Sequence, residues 1–103
     1  MNVNAVTLNG EITTLEPLRH TPAGLPLVNF KLTHRSVQLE AGNQRQTELV
    51  VDAVAIGEVA AAVAKFQLGS SVTVNGFLAA KRRMGTQLGT QISLHATQIQ
   101  QSR

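Results

Sequence analysis

Lys81, Arg82 and Arg83 stand in a row, followed by Met84, Gly85 and Thr86. Three consecutive cations cannot all turn into a core, because neighbours on a strand alternate faces and a buried charge needs a partner. No acid lies near them in sequence. They are expected to protrude as a finger whose natural counter-charge is phosphate; a merely soluble hairpin tip is the plainer alternative. Upstream, Asn29, Lys31, Thr33 and Arg35 share one parity while Val28, Phe30 and Leu32 take the other. At strand rise Lys31 and Arg35 lie about 13 Å apart, a spacing that suits successive phosphates or ordinary solvated charge. Arg45 and Arg19, both in expected loops, are weaker candidates for the same groove.

Binders of unpaired strands usually add aromatic stacking to such cations. Here the chain is poor, with three Phe and no Trp or Tyr. Phe30 follows the core phase and Phe66 the buried stripe of a helix. Phe77 is in phase with Thr73 and Asn75, opposite Val74 and Leu78, so it either stacks on bases or packs in a subunit interface. Binding is therefore expected to be chiefly electrostatic, with log K falling by about 0.7 per phosphate neutralised as log salt rises.

Enzymatic chemistry finds little support. Glu48 and Asp52 are the one acid pair on a single strand, and about 13 Å at strand rise exceeds either glycosidase spacing. His20, His34 and His95 are scattered, without the i, i+4 pairing of a metalloprotease helix. His34 reads as a satisfied residue at the core edge and His95 as a strand-surface residue. Gly85 to Gly89 is followed by Thr90, not by the lysine of a phosphate-binding loop. No catalytic residue, cofactor or metal is expected.

Charge and composition narrow the field further. The 103 residues carry a net charge of +3, with a pI near 10.2. All six acids (Glu11, Glu16, Glu40, Glu48, Asp52, Glu58) lie in the first 58 residues, and every charge beyond them is basic. That asymmetry suits a polyanionic partner, nucleic acid first, or else a solvated basic face. Cysteine is absent, which excludes disulfides, thiolate metal sites and thiol nucleophiles. The longest apolar run, Val59 to Ala64, is far short of the about 18 residues of a spanning helix. Met1 to Asn4 lacks the basic flank and apolar stretch of a secretory leader. No membrane association and a cytoplasmic location are expected.

The elements that must position these residues show period-two alternation. Val6, Leu8 and Ile12 mark a first strand, bent at Gly10; Val28, Phe30 and Leu32 mark a second; Leu49 to Ile56 form a third. Pro17 to Gly24 and Gln38 to Gln46 read as loops. Glu58 to Phe66 changes to helical spacing, with Val59, Val63 and Phe66 on one stripe and Gly69 beyond its end. Val72, Val74 and Leu78 mark a fourth strand, and Ile92, Leu94 and Ala96 a fifth. The Gln-rich end, about residues 98–103, is expected to fray. Five strands with one short helix between the third and fourth fit an all-β OB fold, a five-stranded Greek-key barrel spanning residues 1–103 as one domain.

Pro22 to Pro26, Phe30 to Gln38, Glu40-Ala41-Gly42, Arg45-Gln46, Val72 to Phe77 and Leu94-His95-Ala96 resemble, in that order, primosomal replication protein N, the PriB family. Ile56 to Ala60 and Gly69 to Val72 are also similar to bacterial single-stranded DNA-binding protein. The resemblance implies a homodimeric OB-fold protein that binds single-stranded DNA in replication restart. It also implies action between the primosomal helicase PriA and the helicase-loading partner DnaT, at forks coated by single-stranded DNA-binding protein. By position it implies DNA contacts from Arg35 and Arg45 and from the basic loop of Lys81, Arg82 and Arg83. His20 stands where other members carry Lys. Asn43 and Glu48 stand where other members carry aromatics, which implies weaker DNA binding and more reliance on protein contacts. The acids Glu40, Glu48, Asp52 and Glu58 then form a docking face for a basic partner or a solvated face. A protein–protein adaptor and an RNA-binding OB domain remain the alternative functions.

Overall fold

The computed structural model describes residues 2–81, 83–84, 87–89 and 91–102, without the side chains of residues 83, 84, 87 and 88. In chain order the elements are β1 (Val6–Leu15), β2 (Arg19–His20), β3 (Pro26–Glu40), β4 (Asn43–Ile56), α1 (Glu58–Ala64), β5 (Ser71–Ala80), β6 (Arg83–Met84), β7 (Gln87–Leu88) and β8 (Ile92–Gln101). The sheet runs β1-β5-β8-β4-β3-β2, and β1 also pairs with β3. That last pairing closes β1, β3, β4, β8 and β5 into a five-stranded barrel, the OB topology expected from the alternation.

Most of the residues read as inward-facing fill the barrel, whereas Leu78 and Ile92 are exposed. Ile12, Val28, Phe30, Leu32, Val72, Val74, Leu94 and Ala96 are buried, joined by Ala53 and Ala55 from β4. The helix packs Ala60 and Val63 onto this core, with Val59 and Phe66 partly buried beside them. Gly57 precedes α1 at φ 89°, a conformation glycine adopts without a Cβ penalty. Its N–H donates to the Pro26 carbonyl at 2.9 Å, fixing the helix to the start of β3.

Strand β1 serves two neighbours, pairing with β5 through Glu11 and with β3 from Glu11 onward. Gly10 makes the crossing possible: a Cβ there would lie 2.7 Å from the Thr33 carbonyl oxygen. His34 follows the inward phase and is 8% exposed. The Asn9 carbonyl, 2.7 Å away, can only accept, so Nδ1 carries the proton, and Nε2 accepts from the Ser36 hydroxyl at 2.8 Å.

Two expectations are corrected. Residues 38–46 are not an irregular loop: β3 and β4 pair without interruption from Leu27↔Ile56 to Glu40↔Asn43 around Ala41-Gly42. Both turn residues have positive φ, 52° and 80°, as a two-residue hairpin turn requires. Nor does the C-terminal end fray through residues 98–101. Gln98, Ile99, Gln100 and Gln101 pair with β5, and the Ser102 N–H donates to the Ser71 carbonyl. Side-chain composition misled here, because ladder hydrogen bonds come from the backbone and are indifferent to glutamine.

Candidate nucleic-acid interface

The β3–β4 register decides which charges meet. Directly paired residues share a sheet face, and Lys31 lies opposite Asp52, Thr33 opposite Val50, and Arg35 opposite Glu48. All six lie on the outer face, away from Phe30 and Leu32. Lys31 Nζ donates to Asp52 Oδ1 at 2.7 Å, and Lys81 Nζ donates to Asp52 Oδ2 at the same distance. Lys31 from mid-β3 and Lys81 from the end of β5 therefore converge on one carboxylate. Hydrogen bonds from Lys31 and then Lys81 hold the Asp52 carboxyl below the usual carboxylate range. Arg35 pairs with Glu48 further along the same face.

Lys81 thus does not project as a lone cation. The acid that meets it is distant in sequence and adjacent only once β4 and β8 lie side by side. Arg82, and the side chain of Arg83, lie outside the described residues. Arg45 belongs to β4, not to a loop, and sits opposite Gln38. Its parity places it on the face opposite Lys31 and Arg35, where it pairs with Glu40 at 3.1 Å. Arg19 lies opposite Leu27 and so shares the outer face, whereas His20 lies opposite Pro26 on the other. The structure therefore brings Lys31 and Lys81 together, places Arg35 and Arg19 further along the same outer face, and sets Arg45 and His20 on the opposite one.

Glu40, Glu48 and Asp52 do not form one acidic docking face: each is bound to a cation, and Glu40 lies across the sheet from the other two. The Glu48–Asp52 pair considered for acid–base work is likewise engaged in ion pairs. Asn43 and Glu48 are both exposed on the hairpin. Among the described residues no group of three or more His, Asp or Glu is placed to hold a metal ion. No described helix is long and apolar enough to cross a membrane.

Phe77 is on the outer face and 39% exposed. Its ring stacks on His95, its partner across the β5–β8 ladder, with centroids 5.0 Å apart and planes within 15°. His95 was not among the expected site residues. The matching offsets of Phe77 and His95 within their outward phases were the signal available, but they gain meaning only once β5 and β8 are known to pair.

Comparison with known proteins agrees with this architecture. The family described as another single-strand binding protein family matches residues 4–98. The chain is 46% identical over 88 residues to replication restart protein PriB of Nitrosomonas europaea, covering 85% of this chain and 82% of that one. It is 33% identical over 101 residues to the PriB of Serratia proteamaculans, covering 97% and 94%. The solved structure of PriB from Ralstonia solanacearum superposes with a TM-score of 0.86 at 26% identity, covering 99% of this chain and all of that one. A single-stranded DNA-binding protein from Thermus aquaticus shares the fold, with a TM-score of 0.75 at 20% identity over 98% of this chain and 51% of that one. With its closed barrel, its helix between β4 and β5 and this sequence identity over nearly its whole length, the chain belongs to the replication restart protein PriB family.

Proposed function

We propose that this protein binds single-stranded DNA in replication restart, along the outer face of β3–β4 and the loop that follows β5. The observation that carries the reading is the convergence of Lys31 and Lys81 beside Arg35 on one outer face. OB folds use the corresponding strands and loop for oligonucleotides. The ion pairs on this face do not preclude it. All are part-exposed, with Asp52 side-chain exposure at 33%, and such pairs contribute only about 0–1 kcal/mol. A phosphate can therefore take a lysine from its carboxylate at small cost. Arg82 and Arg83 extend the same cationic run.

The experiment is fluorescence anisotropy with DNA and RNA oligonucleotides over a salt series. Neutralising Lys81, Arg82 and Arg83 together is expected to reduce the salt slope by about 2, at roughly 0.7 per phosphate. An unchanged slope removes the loop from the site. No complex with poly-dT in dilute buffer without added salt overturns the reading, and tighter RNA binding turns it into an RNA-binding one.

A second reading, a protein–protein adaptor, is favoured by the hairpin arm. Val37, Leu39 and Val50 are exposed on its outer face, Leu39 at 74%. The name of the relatives supports placing the chain in the restart primosome. There a homodimer would bridge the helicase PriA to DnaT at forks coated by single-stranded DNA-binding protein, in the cytoplasm. Light scattering tests the dimer, and pull-down with each purified partner tests the bridge.

A further inference from the structure

The barrel lines up one outward side chain from each of four strands: Asn29 on β3, Val54 on β4, His95 on β8 and Phe77 on β5. At the far end of this row the two rings stack. They border a groove of about 490 Å³ shared with Val54, Ile56 and Val59, within the roughly 300–1,000 Å³ of small-molecule sites. The row of Lys31 and Asp52 lies one pleat repeat away, about 7 Å along the strands. The side chains that continue the Lys31 and Asp52 row onto β8 and β5 are small, Ser93 paired with Ala79. One depression there runs past Val54, His95, Ser93 and Lys81. Glu58 lines the groove but not the depression that holds Lys81.

The geometry points to the Phe77–His95 pair as a stacking site for one unpaired nucleobase, with Lys81 and Lys31 taking the adjoining phosphate. This rests on the single-strand reading and adds the ring surface that a chain without Trp or Tyr otherwise lacks. A flat ring surface beside ammonium groups suits a ligand that is planar at one end and anionic at the other, as a nucleotide is. A second copy fits less well. A two-fold contact centred on Phe77 sets the same patch against itself and brings the cations of both copies to one interface, where like charges repel.

Phe77→Trp places the only indole of the chain in this groove. Its fluorescence is expected to quench on titration with oligo-dT and to stay constant with an abasic strand of equal length. Labelled-strand anisotropy reports binding in parallel. Phe77→Leu keeps apolar bulk and removes the ring. It is expected to weaken oligo-dT binding about five- to a hundredfold at fixed salt, leaving the salt slope unchanged. His95→Leu is expected to act in the same direction. Strand binding with an unquenched indole and an unaltered Phe77→Leu affinity overturns this inference and leaves the single-strand reading standing; no complex at all overturns both. An indole emission that shifts with protein concentration in the absence of DNA assigns the face to contacts between copies and also overturns it.

Discussion

Arg35 donates from Nε to Glu48 Oε2 across the β3–β4 ladder, where the two residues are directly paired. The arginine best placed by sequence to meet a phosphate thus meets a carboxylate first. Both side chains are more than 60% exposed, so the pair contributes little to stability, on the order of 0–1 kcal/mol. Its larger effect is on ligands, since Glu48 repels the phosphate that Arg35 attracts. Glu48→Gln is expected to tighten oligo-dT binding several-fold and to steepen the salt slope by up to about 0.7, one phosphate's share. Glu48→Trp adds a stacking ring and is expected to bind tighter still. Unchanged affinity in both variants would place Arg35 outside the DNA path.

Among the described residues Asp52 is the one carboxylate that accepts from two lysines, and those bonds hold its carboxyl below the ordinary range. In the unfolded chain it returns to about 3.9. The unfolded state therefore binds this proton more readily, so stability rises with pH between the two values. The contribution is complete above about pH 4–5 and is lost as pH falls through the lower, folded value. Asp52→Asn is expected to cost about 1 kcal/mol or less at pH 7, with the gap to the parent protein closing as pH drops below about 4. Urea midpoints at a series of pH values measure this. A gap independent of pH would show that packing, not charge, is what Asp52 supplies.

The barrel was legible because its core alternates: Val28, Phe30 and Leu32, or Val72 and Val74, mark their strands whatever the neighbours do. The hairpin arm was not, because both of its faces are largely polar or exposed and leave no periodic signal between 38 and 46. The missing information was register. Once a two-residue turn is set at Ala41-Gly42, the pairs Arg35↔Glu48 and Lys31↔Asp52 follow by counting outward. Residues read one by one as free cations or as an acidic patch then become ion pairs. Phe77–His95 needed the β5–β8 pairing, and Lys81–Asp52 needed in addition the parallel β4–β8 ladder that brings β4 alongside them.

Gly76 governs how closely β5 approaches β8 beside the ring pair. A Cβ at this position would lie 1.9 Å from the His95 carbonyl oxygen and 2.8 Å from its carbon. Both atoms are backbone, so no rotamer change relieves the clash, and the ladder itself must shift next to its bulge at Asn75/Gly76. Gly76→Ala is expected to destabilise the fold by about 2–3 kcal/mol, roughly 10–20 °C in Tm for a domain of this size. It also displaces Phe77 from His95. A thermal melt reads the first effect, and the indole of a Gly76→Ala, Phe77→Trp double variant reads the second.

Ala41 holds φ 52° at the hairpin tip, a left-handed conformation that costs an L-residue with a Cβ roughly 1–2 kcal/mol. Nothing lies within 4 Å of the Cβ position at its neighbour Gly42, so the turn is open to solvent and its preference is set locally. Asn tolerates this region better, and Asn-Gly is the pair that such two-residue turns favour. Ala41→Asn is therefore expected to raise stability by about 0.5–1 kcal/mol, a rise of several degrees in Tm. Hydrogen exchange should slow at the amides of residues 37–40 and 43–46 in the same variant, since the arm closes around the turn. A melt unchanged or lowered by Ala41→Asn would mean that the ladder and the Glu40–Arg45 pair already dictate the turn, leaving no strain there to relieve.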